Sequence, residues 1–377
     1  MPEKKALAAA GKTKPKRKPD WSFLACAMLL LGIGIIMVFS SSHYFASYDY
    51  EDPYFFLKEQ GKFALIGLFC MFLAYKVNMR AYRKLSYSVY VVILGLLIFM
   101  VASSNIETIG GAQRWLQIGG FSFQPSELSK IALPMVLAKW ISDRRDSVED
   151  FKIGFLPTLG LTGLTAGLIL LQKDLSSAIV VAGAGFVIMF CAGVRIPYLI
   201  GTFGLGIMAC VAAIMLEGFR IERITAWLDP RSDPLGAGYQ TIQSWLALGS
   251  GGLTGVGLGN GGSKWFYLPA RHTDFIFSVL GEELGFLGCL VVIILFTLLI
   301  WRGVLIAVRA KDLYSSLLAI GLISAIGIQT FINLGVSTGL LPVTGVTLPL
   351  ISYGGTSLVV SLTMIGILMN ISRRTAR

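Results

Sequence analysis

The sequence predicts an all-α polytopic membrane protein of ten transmembrane helices, with a large outer loop between helices seven and eight. Three observations carry that prediction. Of the 377 residues, 55% are apolar and only 14% are charged, where a soluble protein usually carries about a quarter charged residues. Mean hydropathy is +0.72. Apolar runs near the ~20 residues that cross a hydrocarbon layer as helix recur along the chain, and a large soluble core does not account for so many.

From the N-terminus, the first 20 residues hold seven Lys/Arg and no apolar block. Residues 1–20 therefore read as a disordered, basic cytoplasmic tail near anionic headgroups. A signal peptide would also pair a basic stretch with an apolar one, but the run Trp21–Ser42 is too long for a signal core. It reads as an uncleaved first span, and residues 21–377 as one ten-span membrane domain. Hydropathy places the spans near 21–42, 61–77, 85–102, 125–142, 154–171, 175–193, 196–216, 275–301, 313–337 and 356–371.

Ten spans put both termini on one side, and the basic residues choose the side. With the N-terminus inside, inner segments carry 22 Lys/Arg and outer segments 9, Lys130 lying within a span. That excess favours cytoplasmic termini. The net charge of +11 is thus explained by topology, and no nucleic-acid partner is implied. Trp21, Trp115, Trp140 and Trp301 fall near span ends, as interfacial anchors do. Cys26, Cys70, Cys191, Cys210 and Cys289 all sit in apolar runs without metal-ligand spacing, and His43 and His272 are too isolated for a metal cluster.

Inner loops are short, whereas the outer segment from Glu217 to Asp274 has 58 residues. A loop that long in a compact protein is usually functional. Its apolar pieces, IQSWLALGSGG and FYL, suggest short interfacial helices. Chemistry or recognition is therefore expected outside.

HTDFIF closes that loop. Thr273 is a plausible N-cap and Asp274 a candidate site carboxylate beside Arg271 and His272, although a plain capping carboxylate fits as well. Eight and nine residues further along the helix, Glu282 and Glu283 are expected roughly 12 to 14 Å deeper, near mid-membrane, as a polar network or a proton or ion path. In QPSELSKIALP, Glu127 and Lys130 are i,i+3 neighbours on the fourth span. They are either a structural ion pair or part of a cationic site facing outward. With Arg114 of the preceding GGAQRW, Lys130 could hold a phosphate or pyrophosphate. Lys173 and Asp174 in LLQKDLSS read as a solvated turn. GSGGLTGVGLGNGG has GxGxxG-like spacing but no preceding strand, so it reads as a flexible or closely packed loop, not a dinucleotide site. LPVTGVTLPLISYGGTS is broken by Pro and Gly before the last span, and needs protein or a wet cavity around it.

Taken together and in order, QRW, QPSELSK, GLGN with KWFYLP, HTDFIFSVLGEELGF and LPLISYGGTS resemble the bacterial SEDS family (shape, elongation, division and sporulation). The TGVGLGN segment and the TLPLISYGG ending resemble its FtsW and SpoVE branch more than RodA. The resemblance implies a ten-span peptidoglycan glycosyltransferase in the cytoplasmic membrane that polymerises lipid II on the outer face. It also implies a class B penicillin-binding protein as partner, with other divisome or elongasome membrane proteins nearby. The family's essential aspartate falls on Asp274, and its outer-cavity polar residues fall on Arg114, Glu127 and Lys130. Arg271 and His272, beside that aspartate, join them as expected substrate-binding residues. Three departures stand out: Ala270 where the family often has Glu, QKD where QPD is usual, and GNGGSK in the glycine loop. The second leaves the part played by Asp174 open.

Chemically, Asp274 would serve as general base for an acceptor hydroxyl, worth about 10²–10⁴-fold, or help hold a divalent cation, Mg²⁺ or Mn²⁺. Arg114 and Lys130 would stabilise the departing pyrophosphate while Glu127 orients Lys130. One carboxylate suits direct displacement with inversion. A flippase for lipid-linked precursor, or a catalytically silent scaffold, would carry the same buried charges.

Overall fold

The computed structural model describes residues 19–103, 115–118, 121–262 and 268–374. Among these, ten long helices occupy the ten expected segments: α1 Trp21–Asp49, α2 Phe55–Lys76, α3 Met79–Ala102, α4 Pro125–Asp143, α5 Leu156–Leu171, α6 Leu175–Ala192, α7 Ile196–Met215, α10 Ile276–Val308, α11 Leu313–Thr338 and α12 Gly355–Ser372. Two short helices, α8 Gly218–Leu228 and α9 Tyr239–Ser250, lie in the long loop. Eight of the helices are long and apolar enough to cross a membrane; the exceptions among the ten are α2 and α4. The protein is a multi-pass membrane protein.

Local chemistry sets the helix ends. Asp20, Asn78, Asp174 and Asp312 accept backbone N–H groups as N-caps of α1, α3, α6 and α11. Gly193 and Gly339, both left-handed, end α6 and α11. Asp20 also ties the chain's two ends together. Its N–H donates to Ser372 Oγ at 3.2 Å and its carboxylate pairs with Arg302 at 3.1 Å. The start of α1 and the end of α12 therefore share one end of the bundle, the termini end.

Helices α4, α11 and α12 form the interior, with 67% of the apolar window of α11 and 78% of that of α12 buried. Helix α7 is the opposite case, at 11% buried, and presents Ile200, Phe203 and Met208 outward. Helix α12 lies against α2 at backbone distance, because a Cβ on Gly366 would strike Met71 O.

Two features depart from the expected layout. A two-stranded antiparallel ribbon, β1 Leu116–Ile118 and β2 Phe121–Phe123, pairs Leu116 with Phe123 just before α4. Helix α10 is also broken at Gly285, with φ 68° and ψ −169°. The glycine loop fills that break. Val256 and Gly257 N–H donate to Glu282 and Glu283 carbonyls at 3.0 Å, and Phe286 and Leu287 N–H donate to Gly252 and Leu253 carbonyls at 2.9 and 3.1 Å. Backbone groups freed by the break are satisfied by protein, as an apolar surrounding requires. The loop's backbone is pinned to α10 while Leu253, Val256 and Leu258 stay exposed.

This break removes the continuous helix on which the expected depth of Glu282 and Glu283 rests. The exposed apolar residues of α10, from Phe286 and Leu287 to Trp301 and Val308, all follow the break. The two glutamates stand before it, on the loop side of the break, and are buried. Glu283 accepts Ser40 Oγ of α1 at 2.6 and 2.8 Å, and Glu282 accepts the Gly262 N–H at 2.7 Å. They form a polar network that joins α10 to α1 and to the glycine loop.

Candidate active site

A cavity of about 1050 Å³ opens at the loop end, lined by α2, α4, α6, α8, α11 and the segments before α10 and α12. It gathers Glu127, Lys130 and Asp274, which come from two elements about 140 residues apart in sequence. Arg114 lies outside the described residues.

Lys130 is 2% exposed and donates to Glu127 Oε1 at 2.5 Å and to Gln329 Oε1 at 2.7 Å. Gln329 Nε2 donates in turn to Thr347 O at 2.9 Å, and Thr347 Oγ1 lies 3.1 Å from Ser357 Oγ. The ion pair is thus one part of a network crossing α4, α11 and the segment before α12. An ammonium has three donors, and these two bonds leave one for a ligand in the cavity.

Asp274 is held by its backbone. Ala270 takes φ 52°, a left-handed conformation unusual for a residue with a Cβ, and its carbonyl accepts the N–H groups of Thr273, Asp274 and Phe275. Three successive carbonyls are then fixed from outside: His272 O by Tyr353 N–H at 2.8 Å, Thr273 O by Ser352 Oγ at 2.6 Å, and Asp274 O by Asn333 Nδ2 at 2.8 Å. Asp274 Oδ2 faces Gly345, where an added Cβ would stand 3.7 Å away. The helix proper starts at Ile276 without a side-chain cap. Thr273 is therefore not the N-cap: its hydroxyl donates back to Ala270 O at 3.1 Å.

Arg271 and His272 do not line this cavity. Arg271 is buried, donates to Ser41 O at 3.2 Å and lies over the Phe45 ring. His272 packs among Phe45, Phe56 and Tyr353, 4.6 Å from the Phe56 ring. Burial, with Arg271 beside it, pushes the imidazole down to about 4. Both residues anchor the Asp274 turn against α1 and α2. Adjacency in sequence suggested contact with the site; the turn instead sends neighbouring side chains to opposite sides.

Asp174 reverses the other way. It is 3% exposed, caps α6 through Ser177 N–H at 3.1 Å, and accepts Gln124 Nε2 at 3.0 Å and Ser126 Oγ at 3.4 Å; Asp174, Ser177 and Gln124 line the cavity. Lys173, on the same wall, pairs with Glu217 at 3.2 Å. Sequence reasoning also passed over Gln329, Asn333 and Arg223. The first two are amides, four apart and buried in a largely apolar span, which is itself a functional signal. Arg223 lines the cavity from α8 and donates to Val343 O at 3.2 Å. The opposite wall is aromatic, with Tyr50 stacked on Phe55 at 4.1 Å and Phe56 edge-on to Tyr353.

Among the described residues, no three of His, Cys, Asp and Glu cluster as a metal would need. Of the cavity carboxylates, Asp274 is the one that could hold a divalent cation together with substrate oxygens, since Glu127 and Asp174 are engaged by protein donors.

The likeness to known proteins extends over the whole chain. The cell cycle protein family profile FtsW/RodA/SpoVE matches residues 20–377. Stage V sporulation protein E of Bacillus subtilis (strain 168) is 43% identical over 361 residues, covering 96% of this chain and 99% of that one. The probable peptidoglycan glycosyltransferase FtsW of Geobacter sp. (strain M18) is 41% identical over 355 residues, with 94% and 97% covered. A solved chain from a peptidoglycan synthase complex, described for its coordination of polymerization and crosslinking, superposes with TM-score 0.77 at 33% identity, covering 94% and 98%. The rod shape determining protein RodA of Thermus thermophilus superposes with TM-score 0.68 at 29% identity, covering 95% and 98%. Identity is higher to these SpoVE and FtsW sequences than to this RodA, in keeping with the expected branch. The chain belongs to the FtsW/RodA/SpoVE family.

Proposed function

We propose that this protein is a peptidoglycan glycosyltransferase that joins lipid II units into glycan strands. The observation that carries this reading is the convergence of Asp274 with the Glu127–Lys130 pair on one loop-end cavity. A carboxylate and a buried ammonium facing one space are what glycosyl transfer from a lipid pyrophosphate requires. Asp274 takes the proton from the acceptor hydroxyl as that oxygen attacks the anomeric carbon. The Lys130 ammonium, oriented by Glu127 and Gln329, stabilises the charge gathering on the departing pyrophosphate. Arg114 is a second candidate for that work. The other two cavity carboxylates, Glu127 and Asp174, are already engaged by Lys130 and by Gln124, Ser126 and Ser177. Neither is placed to form a covalent sugar intermediate, which supports single displacement with inversion. A Mg²⁺ or Mn²⁺ ion, if used, would rest on Asp274 and substrate oxygens.

The same reading puts the chain in the bacterial cytoplasmic membrane, with ten spans, both termini cytoplasmic and the cavity outside. The inner-to-outer excess of basic residues supports that orientation. A class B penicillin-binding protein is the proposed partner, alongside other division or elongation proteins; the similarity to the synthase complex chain supports it.

Detergent separates polymerase from flippase, because a micelle has no second side to transport to. Purified protein with its penicillin-binding partner and labelled lipid II should yield glycan ladders in detergent. Lipid movement across vesicles with no ladders in detergent would overturn the proposal in favour of transport.

A further inference from the structure

At the termini end, remote from the cavity above, a second pocket of about 610 Å³ is lined by Met79, Arg80, Lys311, Asp312, Arg373 and Arg374, among others. Its cations come from three parts of the chain: the first turn of α3, the turn between α10 and α11, and the residues after α12. Among the described residues lining it, four cations share one carboxylate, Asp312, which also accepts the N–H and the hydroxyl of Ser315. Like charges are crowded here. Arg374, already held by Asn78 Oδ1 at 3.3 Å, has its pKa lowered by burial and by the Arg373 and Arg80 guanidiniums, against the opposing pull of Asp312. An isolated cluster of that kind repels itself, and an anion in its midst relieves the repulsion.

The floor is of another character. Met79 is 6% and Ile371 1% exposed, and beside the pocket the end of α2 presents Phe72, Leu73 and Val77 outward. Cations over an apolar floor, next to an exposed apolar helix face at one end of a membrane bundle, match an amphiphile with a phosphate head and acyl tails. We propose that this pocket binds the phosphate headgroup of an anionic membrane lipid, with the acyl chains lying along the end of α2. A basic pocket between spanning helices is a general lipid-recognition device. Guanidinium groups suit it because they grip phosphate oxygens through paired N–H donors.

The test uses the full-length protein in neutral detergent, with thermal unfolding and native mass spectrometry as readouts. Dioleoyl phosphatidylglycerol should raise the melting temperature and give bound-lipid peaks where dioleoyl phosphatidylcholine does neither. A triple variant, Arg80→Gln, Lys311→Gln and Arg374→Gln, should lose both effects, with lipid adducts reduced about tenfold. Exposed Lys84, off the pocket, is the control: Lys84→Gln should keep both effects. Equal loss in Lys84→Gln, or full retention in the triple variant, would overturn the site. Stabilisation by inorganic phosphate to the same extent, without lipid adducts, would show a free anion site and refute the lipid. If the triple variant fails to fold, Arg80→Gln alone, at an exposed position, must still weaken lipid binding for the proposal to stand.

Discussion

Lys130 is 2% exposed at the inner wall of the cavity, and the protein around it shows how a buried ammonium is tolerated. Glu127 neutralises it, Gln329 accepts a second hydrogen bond, and Gln329 is itself held by Thr347. Breaking such a pair by removing one member leaves an uncompensated buried charge and costs about 3–5 kcal/mol, whereas removing both charges can be nearly neutral. Lys130→Met should therefore lower thermal stability sharply and abolish polymerisation. The double variant Glu127→Gln with Lys130→Met should recover most of the stability and none of the activity. Melting curves and lipid II assays on the two variants separate the structural share of the pair from its chemical one. If the double variant polymerises at the normal rate, Lys130 has no part in the reaction.

At the scale of elements, the break in α10 sets where the site ends and the span begins. Residues Ile276 to Glu283, before Gly285, are buried, whereas the exposed apolar residues of the helix all follow it and alternate there with buried ones such as Val292, Phe296 and Leu299. Gly255 is indispensable to the join of the glycine loop with α10, since φ is +81° and a Cβ would strike Glu283 O. Gly255→Val should expel the loop, seen as faster proteolysis within residues 251–262 and a lower melting temperature. Unchanged proteolysis would mean the loop is not held by this pairing. The turn leading into α10 has a pH signature. Folded His272 resists protonation until about 4, while the unfolded chain takes up its proton near 6.5. The unfolded state binds more protons between those values, so stability falls as pH drops from 6.5 toward 4. His272→Phe should flatten that dependence in thermal melts across the window. An unaltered slope would place the acid sensitivity elsewhere.

Across the whole molecule, the long helices were legible in sequence because hydropathy reports directly on apolar length. Boundaries slipped where polar residues continue a helix past the apolar run, as in α1, which runs to Asp49, and α2, which starts at Phe55. The ribbon before α4 was not legible, since three-residue strands leave no periodicity to read. In the site, Asp274, Glu127 and Lys130 were nominated by their motifs and do share one cavity. Side-chain direction was not legible. Arg271 and His272 turn away on a backbone set by Ala270 and held by Ser352, Tyr353 and Asn333, which are remote in sequence. Asp174 turns in, because capping α6 commits its carboxylate to the protein.

The claim beneath all of this is that Asp274 removes the acceptor proton in a cavity that the rest of the chain holds ready. Its most direct test is the initial rate of lipid II polymerisation by Asp274→Asn beside the unaltered protein, each with its penicillin-binding partner and matched for melting temperature. Asparagine keeps the shape and cannot take a proton, so the rate should fall by about 10²-fold or more at unchanged stability. A rate within about twofold of the unaltered protein would contradict the account, because general-base loss is expected to cost far more than that.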